Sequence, residues 1–224
     1  MRVCILGSNG FIGSNLLKCN TEWVGVTRQQ LDLTVQKDVD TFFETNTFDV
    51  VVHCAVVGGS RLQEDQGSVC VKNILMFENI VRHLDKKKFS KLVYFSSGAS
   101  KMGNPPSDPY GLSKWIIDKR IETISNVYSL CIWGCYGPGE LETRFSAICK
   151  NKGHVVIPQD RYFDFVDIEK VKKVVNKYII KGGQKFCNLV DFEFEKLKLS
   201  EWATKFGATT FTIEKEGLGE SYTS

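Results

Sequence analysis

Five short runs of apolar, largely β-branched residues recur along the first two thirds of the chain: RVCILG (2 to 7), WVGVT (23 to 27), DVVVHCA (49 to 55), KLVYFSS (91 to 97) and VYSLCIW (127 to 133). A longer amphipathic segment separates each run from the next, with helices expected at about 11 to 18, 36 to 45, 67 to 84 and 109 to 124. Runs this continuous in hydrophobicity suit strands covered on both faces, as in a parallel sheet. Strict alternation of strand and helix requires crossovers of one hand, which predicts an α/β fold with a doubly wound parallel sheet.

The rhythm changes after Gly137-Pro138-Gly139. A helix at about 141 to 151, a short HVVI strand, the stretch RYFDFVDIEKVKKVVNKYII, a strand near KFCNLV, a helix at LSEWATKFG and a last strand at TFTIEK make a smaller α+β portion. The expected division is residues 1–139 for the sheet and 140–224 for a short substrate-binding portion packed on it, with crossovers of the chain between them. At 224 residues and 42% hydrophobic content the chain can bury one sizeable core.

Charge and cysteine usage narrow the class. Basic and acidic residues number 29 and 26 and are scattered, too balanced to suggest a nucleic acid or a membrane surface as partner. Cys4, Cys19, Cys54, Cys70, Cys131, Cys135, Cys149 and Cys187 form no CxxC pairs, and several sit inside apolar runs as small buried side chains. With no signal peptide and no apolar run of spanning length, a reducing cytoplasm is the expected compartment. His53, His83 and His154 lie far apart and near no cysteine pair, so no metal site is expected.

The first strand runs straight into GSNGFIG, which sets Gly7, Gly10 and Gly13 at the head of the first helix, with Asn9, Phe11 and Ile12 between them. Glycines here let the backbone turn tightly and approach a pyrophosphate, while the helix N-terminus offers N–H donors and positive dipole. The bland alternative is a glycine-rich turn serving helix packing alone. At the end of the second strand, where an NAD site usually carries an acidic residue for the ribose hydroxyls, the chain has Thr27-Arg28. A guanidinium there can pair with a 2′-phosphate, which favours NADP, with NAD as the alternative. Asp32 and Leu33 follow where a short polar residue could meet an adenine edge, or where an aspartate could simply stabilise a turn.

Tyr110 and Lys114, in YGLSK, stand at i and i+4 and share a helix face. Spacing alone would fit an amphipathic tyrosine beside a solvated lysine. The order of motifs supplies the context: GSNGFIG, the Asp-Leu of LDLT, HCAVVGG, the VKN at 71 to 73, FSSGAS, YGLSK, CYGPG and DFVDIEKV. In that order, over about residues 1 to 200, the chain resembles the extended short-chain dehydrogenase/reductase family of sugar-nucleotide epimerases, dehydratases and reductases. Its TRQQLDLT and AVVGG segments are similar to those of the GDP-L-fucose synthase and dTDP-4-dehydrorhamnose reductase groups.

The resemblance implies a Rossmann-type fold and a catalytic set of Ser97, Tyr110 and Lys114, with Ser96 as the near alternative to Ser97. It implies a cofactor site drawn from Gly7, Asn9, Gly10, Phe11, Ile12, Gly13, Arg28, Asp32, Leu33, Cys54, Ala55, Val57, Asn73, Ser96, Tyr110 and Lys114. The implied substrate is a nucleotide sugar, with Ser97, Arg144 and Arg161 as candidate contacts, and the implied assembly is a homodimer through the helices at about 67 to 84 and 109 to 124. The implied reaction is NADP-dependent reduction of a keto group, the alternatives being 4-epimerisation with tightly held NAD or a silent dinucleotide-binding protein.

Departures from the family pattern narrow the chemistry. Gly98 and Ala99 stand where dehydratases carry Asp-Glu, which argues against dehydration. Ala99 and, approximately, Arg144 replace the cysteine and histidine of the double epimerases, and Gly134 replaces the asparagine that reaches substrate phosphates.

Overall fold

The computed structural model describes residues 1–60, 63–187 and 192–224. The chain forms two compact units, Met1–Cys131 with Lys172–Asn188, and Ile132–Val171 with Leu189–Ser224.

In the first unit the expected alternation is present, with element ends within two residues of the sequence reading. It runs β1 (Val3–Leu6), α1 (Phe11–Cys19), β2 (Val24–Val26), α2 (Gln36–Thr45), β3 (Val50–His53), α3 (Gly67–Asp85), β4 (Lys91–Ser97), a 3-10 turn (Gly98–Lys101), α4 (Pro109–Glu122) and β5 (Val127–Ile132). Among the described residues the sheet order is β2-β1-β3-β4-β5-β9, where β9 is Phe186–Cys187. The registers are parallel, with Leu6 opposite both Val26 and His53, and His53 opposite Tyr94. The rest of the KFCNLV strand expected from sequence lies outside the described residues.

Strands β1, β3 and β4 are buried almost throughout, which explains their unbroken hydrophobicity. One core cluster gathers Cys4, Leu6, Val26, Val51, Leu92 and Tyr94 from the strands with Phe43, Phe77, Ile80, Ile117 and Ile121 from the helices. Parallel strands point their carboxyl ends to one edge of the sheet. The glycine turn after β1, Arg28 after β2, the HCAVVGG loop after β3 and Ser97 at the end of β4 therefore share that edge. The order reverses between β1 and β3, where a crevice forms in folds of this kind.

The second unit holds more strands than the sequence reading found: β6 (Gly134–Tyr136), α5 (Phe145–Lys152), β7 (His154–Gln159), β8 (Tyr162–Asp167), β10 (Glu195–Lys198), α7 (Leu199–Lys205) and β11 (Thr210–Lys215). The helix α6 (Ile168–Ile180) follows β8 directly. Among the described residues β8 pairs antiparallel with β10 and parallel with β6, while β7 pairs parallel with β11. An aromatic core holds it: Trp202 is fully buried and donates through Nε1 to the Phe163 carbonyl at 2.8 Å, and Phe163 stacks on Phe165 at 4.5 Å.

Among the described residues no helix is long and apolar enough to cross a membrane, and no cluster of three His, Cys, Asp or Glu could hold a metal ion.

Candidate active site

The glycine turn closes on itself before it opens outward. Gly7, at φ +82°, donates to the Val26 carbonyl at 2.9 Å, and a Cβ on Gly13 would overlap the Gly7 carbonyl, so the first strand and first helix meet backbone to backbone. Gly10 differs. It is the exposed N-cap of α1, a Cβ there would meet only the Gly7 carbonyl at 3.4 Å, and no side chain caps the helix. The first-turn amides, at Phe11, Ile12 and Gly13, have no acceptor within a helix, and α1 carries no acidic residue in its first turn. That combination fits an anion such as a pyrophosphate.

Arg28 is 72% exposed and lies 3.6 Å from the Asp32 carboxylate. Asp32 also accepts from the Thr34 amide at 2.9 Å and hydroxyl at 2.7 Å, and these bonds first, with the Arg28 charge assisting, hold its carboxyl below the usual range. It is thus a turn aspartate tied to the start of α2. Leu33 is buried in the core, and its carbonyl accepts from Asn79 at 2.9 Å.

Beyond β3 the loop is held from two sides. Asn73, buried on α3, exchanges two bonds with Val57, accepting from its amide at 2.9 Å and donating to its carbonyl at 3.0 Å, and donates also to Ser113 at 3.1 Å. Asp65 accepts from the Gly59 amide at 2.8 Å, which sets the loop against the Tyr110 ring. Cys54, whose amide donates to the Leu6 carbonyl, has its thiol pushed up by burial, and Ala55 backs against Gly7.

Helix α4 begins on Asp108, which accepts from the Gly111 amide at 2.7 Å, with Pro109 at the first turn. That start places Tyr110 half-buried and Lys114 buried one turn on. The Lys114 ammonium donates to the Phe95 carbonyl at 2.7 Å and sits 4.5 Å from the Tyr94 ring centre and 5.7 Å from that of Tyr110. Burial lowers its pKa to about 8 against the pull of Asp118, so it remains mostly an ammonium at neutral pH. The two serines at the end of β4 diverge, as neighbours on a strand must. Ser96 donates to Asp118 at 2.7 Å, whereas Ser97 accepts from the Ala99 amide at 3.2 Å and heads the 3-10 turn.

The sheet edge therefore brings Gly10, Ser97, Tyr110 and Lys114 into one unit. Arg144 and Arg161 belong to the other: Arg144 precedes α5, and the Arg161 carbonyl accepts from Leu199 at 2.9 Å. Two residues of this neighbourhood escaped the sequence reading. Asp118, eight residues after Tyr110 on the same helical face, was detectable as a carboxyl on a buried stripe; the bond from Gly59 to Asp65 has no local signal.

A parallel sheet with a glycine turn at its strand reversal and the Tyr-Lys helix alongside defines a Rossmann-type enzyme of the extended short-chain dehydrogenase/reductase class. Residues 3–151 match the NAD dependent epimerase/dehydratase family, and the chain belongs to it. Comparison with curated proteins finds no match.

Among solved structures, the fold is similar to the GDP-mannoheptose C4 reductase of Campylobacter jejuni with NADP bound, at TM-score 0.77 and 16% identity over 97% of this chain and 88% of that one. A dTDP-4-dehydrorhamnose reductase of Clostridium acetobutylicum aligns at TM-score 0.79 and 19% identity over 95% of this chain and 83% of that one. A GDP-L-fucose synthetase of Naegleria fowleri bound to NADP aligns at TM-score 0.76 and 13% identity over 96% and 82%. At these identities the likeness is one of fold.

Proposed function

We propose that the protein is an NADP-dependent oxidoreductase that reduces a keto group of a nucleotide-activated sugar. The observation that carries the reading is the buried Lys114 ammonium beside Tyr110, on the sheet edge that also bears the glycine turn. A nicotinamide held at this edge would supply the hydride. Tyr110 gives its phenolic proton to the carbonyl oxygen, and the Lys114 charge stabilises the phenolate that results. Ser97 holds the same oxygen by a hydrogen bond. Ser96 is committed to Asp118, which supports Ser97 over its neighbour in this role.

The uncapped first turn of α1 receives the pyrophosphate, and the exposed Arg28 pairs with a 2′-phosphate. Three structurally similar proteins are named as sugar-nucleotide reductases or synthetases, two of them with NADP, which agrees with this choice. Arg144 and Arg161 remain the proposed contacts for substrate phosphates. A homodimer through α3 and α4 is supported by Val71 and Leu75, exposed one turn apart on α3.

Calorimetric titration with NADPH and NADH, with a mass spectrum of anything released on denaturation, tests the reading. A preference for NADPH that disappears in Arg28→Ala, with no carried-over cofactor, is the expected result. Retained NAD would instead indicate a 4-epimerase, and binding of neither would remove both catalytic readings.

A further inference from the structure

Helix α4 presents Tyr110, Lys114 and Asp118 at i, i+4 and i+8, so the three side chains descend one face from the sheet edge into the interior. The third of them is buried. Its Oδ2 accepts from Ser96 on β4 at 2.7 Å and from Ser100 in the 3-10 turn at 3.2 Å, and its Oδ1 accepts from Ser129 on β5 at 2.7 Å. Three hydroxyls from three elements thus satisfy the carboxylate without neutralising it. Such a charge acts strongly on whatever shares its low-dielectric surroundings.

The groups facing Lys114 come from every element packed around it. His53 and Cys54 lie at the end of β3, Tyr94 on β4, Cys131 on β5, and Tyr110 and Asp118 on its own helix. Burial, aided by the Lys114 charge, lowers His53 to about 3 and leaves it neutral. Burial raises Cys54 and Tyr94 and takes Cys131 to about 12, so these are neutral as well at pH 7. Among these groups Asp118 is the anion. Its other cationic neighbour, Lys101, stands 3.8 Å from Oδ2 but is half exposed, where solvent screens it.

We propose that Asp118 is a positioning residue of the reaction centre: its serine-held carboxylate is the buried counter-charge of Lys114, and acts on Tyr110 only through that lysine. The catalytic part of this statement rests on the reductase reading; the coupling of Asp118 to Lys114 does not. A buried lysine without a counter-charge tends to give up its proton. At neutral pH the Tyr110 phenolate would then lose the cation that stabilises it. Asparagine at this position preserves the shape and removes the charge; its one oxygen still accepts hydroxyl bonds, while its amide donates to the serine oxygen on the other side.

The test follows the Lys114 side chain by ¹³Cε NMR titration of the cofactor-free protein, its signal assigned by loss in Lys114→Met. In Asp118→Asn the Lys114 midpoint is expected to fall by about one pH unit or more, and in Lys101→Met to stay or rise. A midpoint unmoved in Asp118→Asn, or one that falls as far in Lys101→Met, overturns the proposal and leaves Asp118 as a structural knot. If Asp118→Asn does not fold, the double variant Lys114→Met/Asp118→Asn supplies the second measurement, because a counter-charge is needed only where there is a charge to balance. Removal of both is expected to restore folding, read by circular dichroism; a double variant that also fails to fold overturns the pairing. Absence of dinucleotide binding would remove the reductase reading and leave this coupling standing.

Discussion

A Cβ placed on Gly59 would stand 2.8 Å from Cζ of Tyr110 and 2.9 Å from its Cε2, so the backbone of the loop after β3 lies directly on the phenol ring. Gly59 also has φ +74°, where an L side chain is strained. Gly59→Ala is therefore expected to shift the ring and lower kcat/KM by about tenfold to a hundredfold, and to cost about 1–3 kcal/mol of stability. Turnover and urea unfolding measured together check this. Wild-type turnover would show that the ring has room to move.

The two kinds of contact in the glycine turn predict two kinds of variant. Gly13→Ala drives a methyl into the Gly7 carbonyl and should destabilise the fold as well as weaken dinucleotide binding. Gly10→Ala meets little and should unfold within about 1 kcal/mol of the wild type, while the added methyl, on the side where an anion would approach, weakens binding. Unfolding curves beside calorimetric titrations separate the two; equal effects at both positions would mean that the turn serves helix packing alone.

Asn73 satisfies both backbone groups of Val57 as well as a bond to Ser113. Asn73→Ala leaves the amide and carbonyl of the half-buried Val57 without their partner, an expected cost of about 1–2 kcal/mol. The readout is denaturant unfolding with an unchanged m-value. A cost near zero would mean that water replaces the side chain.

His53 sets a pH dependence. Its imidazole is held down to about 3 by burial, then by Lys114, against an ordinary value of 6.5. Between these limits the unfolded chain takes up a proton that the native chain refuses. The stability is complete above pH 6.5 and declines as the pH falls toward 3, by at most about 1.4 kcal/mol per pH unit from this group. The carboxylates titrate in the same window, so the measurement is the difference between wild type and His53→Gln. Parallel stability–pH curves would discount the buried histidine.

The first unit was legible because its strands are covered on both faces. Their apolar runs mark them without knowledge of partners, and the glycine turn and Tyr-Lys pair fall at fixed places relative to them. The second unit was less so. Strand β6 has only three residues and β10 reads EKLK, half-buried at best, so their pairing with β8 depends on partners distant in sequence rather than on their own pattern. Within β8 the alternation is also broken, because Asp164 is as buried as the phenylalanines on either side and accepts from the Ser224 amide at 2.8 Å. In the site, Asn73 was read from the sequence, whereas the two aspartates that orient others, Asp65 and Asp118, were not. Asp118 stands in the sequence as a carboxyl on a buried helical stripe, but its role emerges only where three serines from separate elements converge on it.

The interleaving of the two units has a genetic consequence. Each is encoded by two separate stretches, divided near codons 131, 171 and 188, so no single crossover within the gene can exchange one unit intact for that of a relative. A functional chimera would need matched breakpoints at all three places. Substrate preference, if the second unit sets it, is then expected to diverge by substitutions within this chain more readily than by shuffling of a cassette.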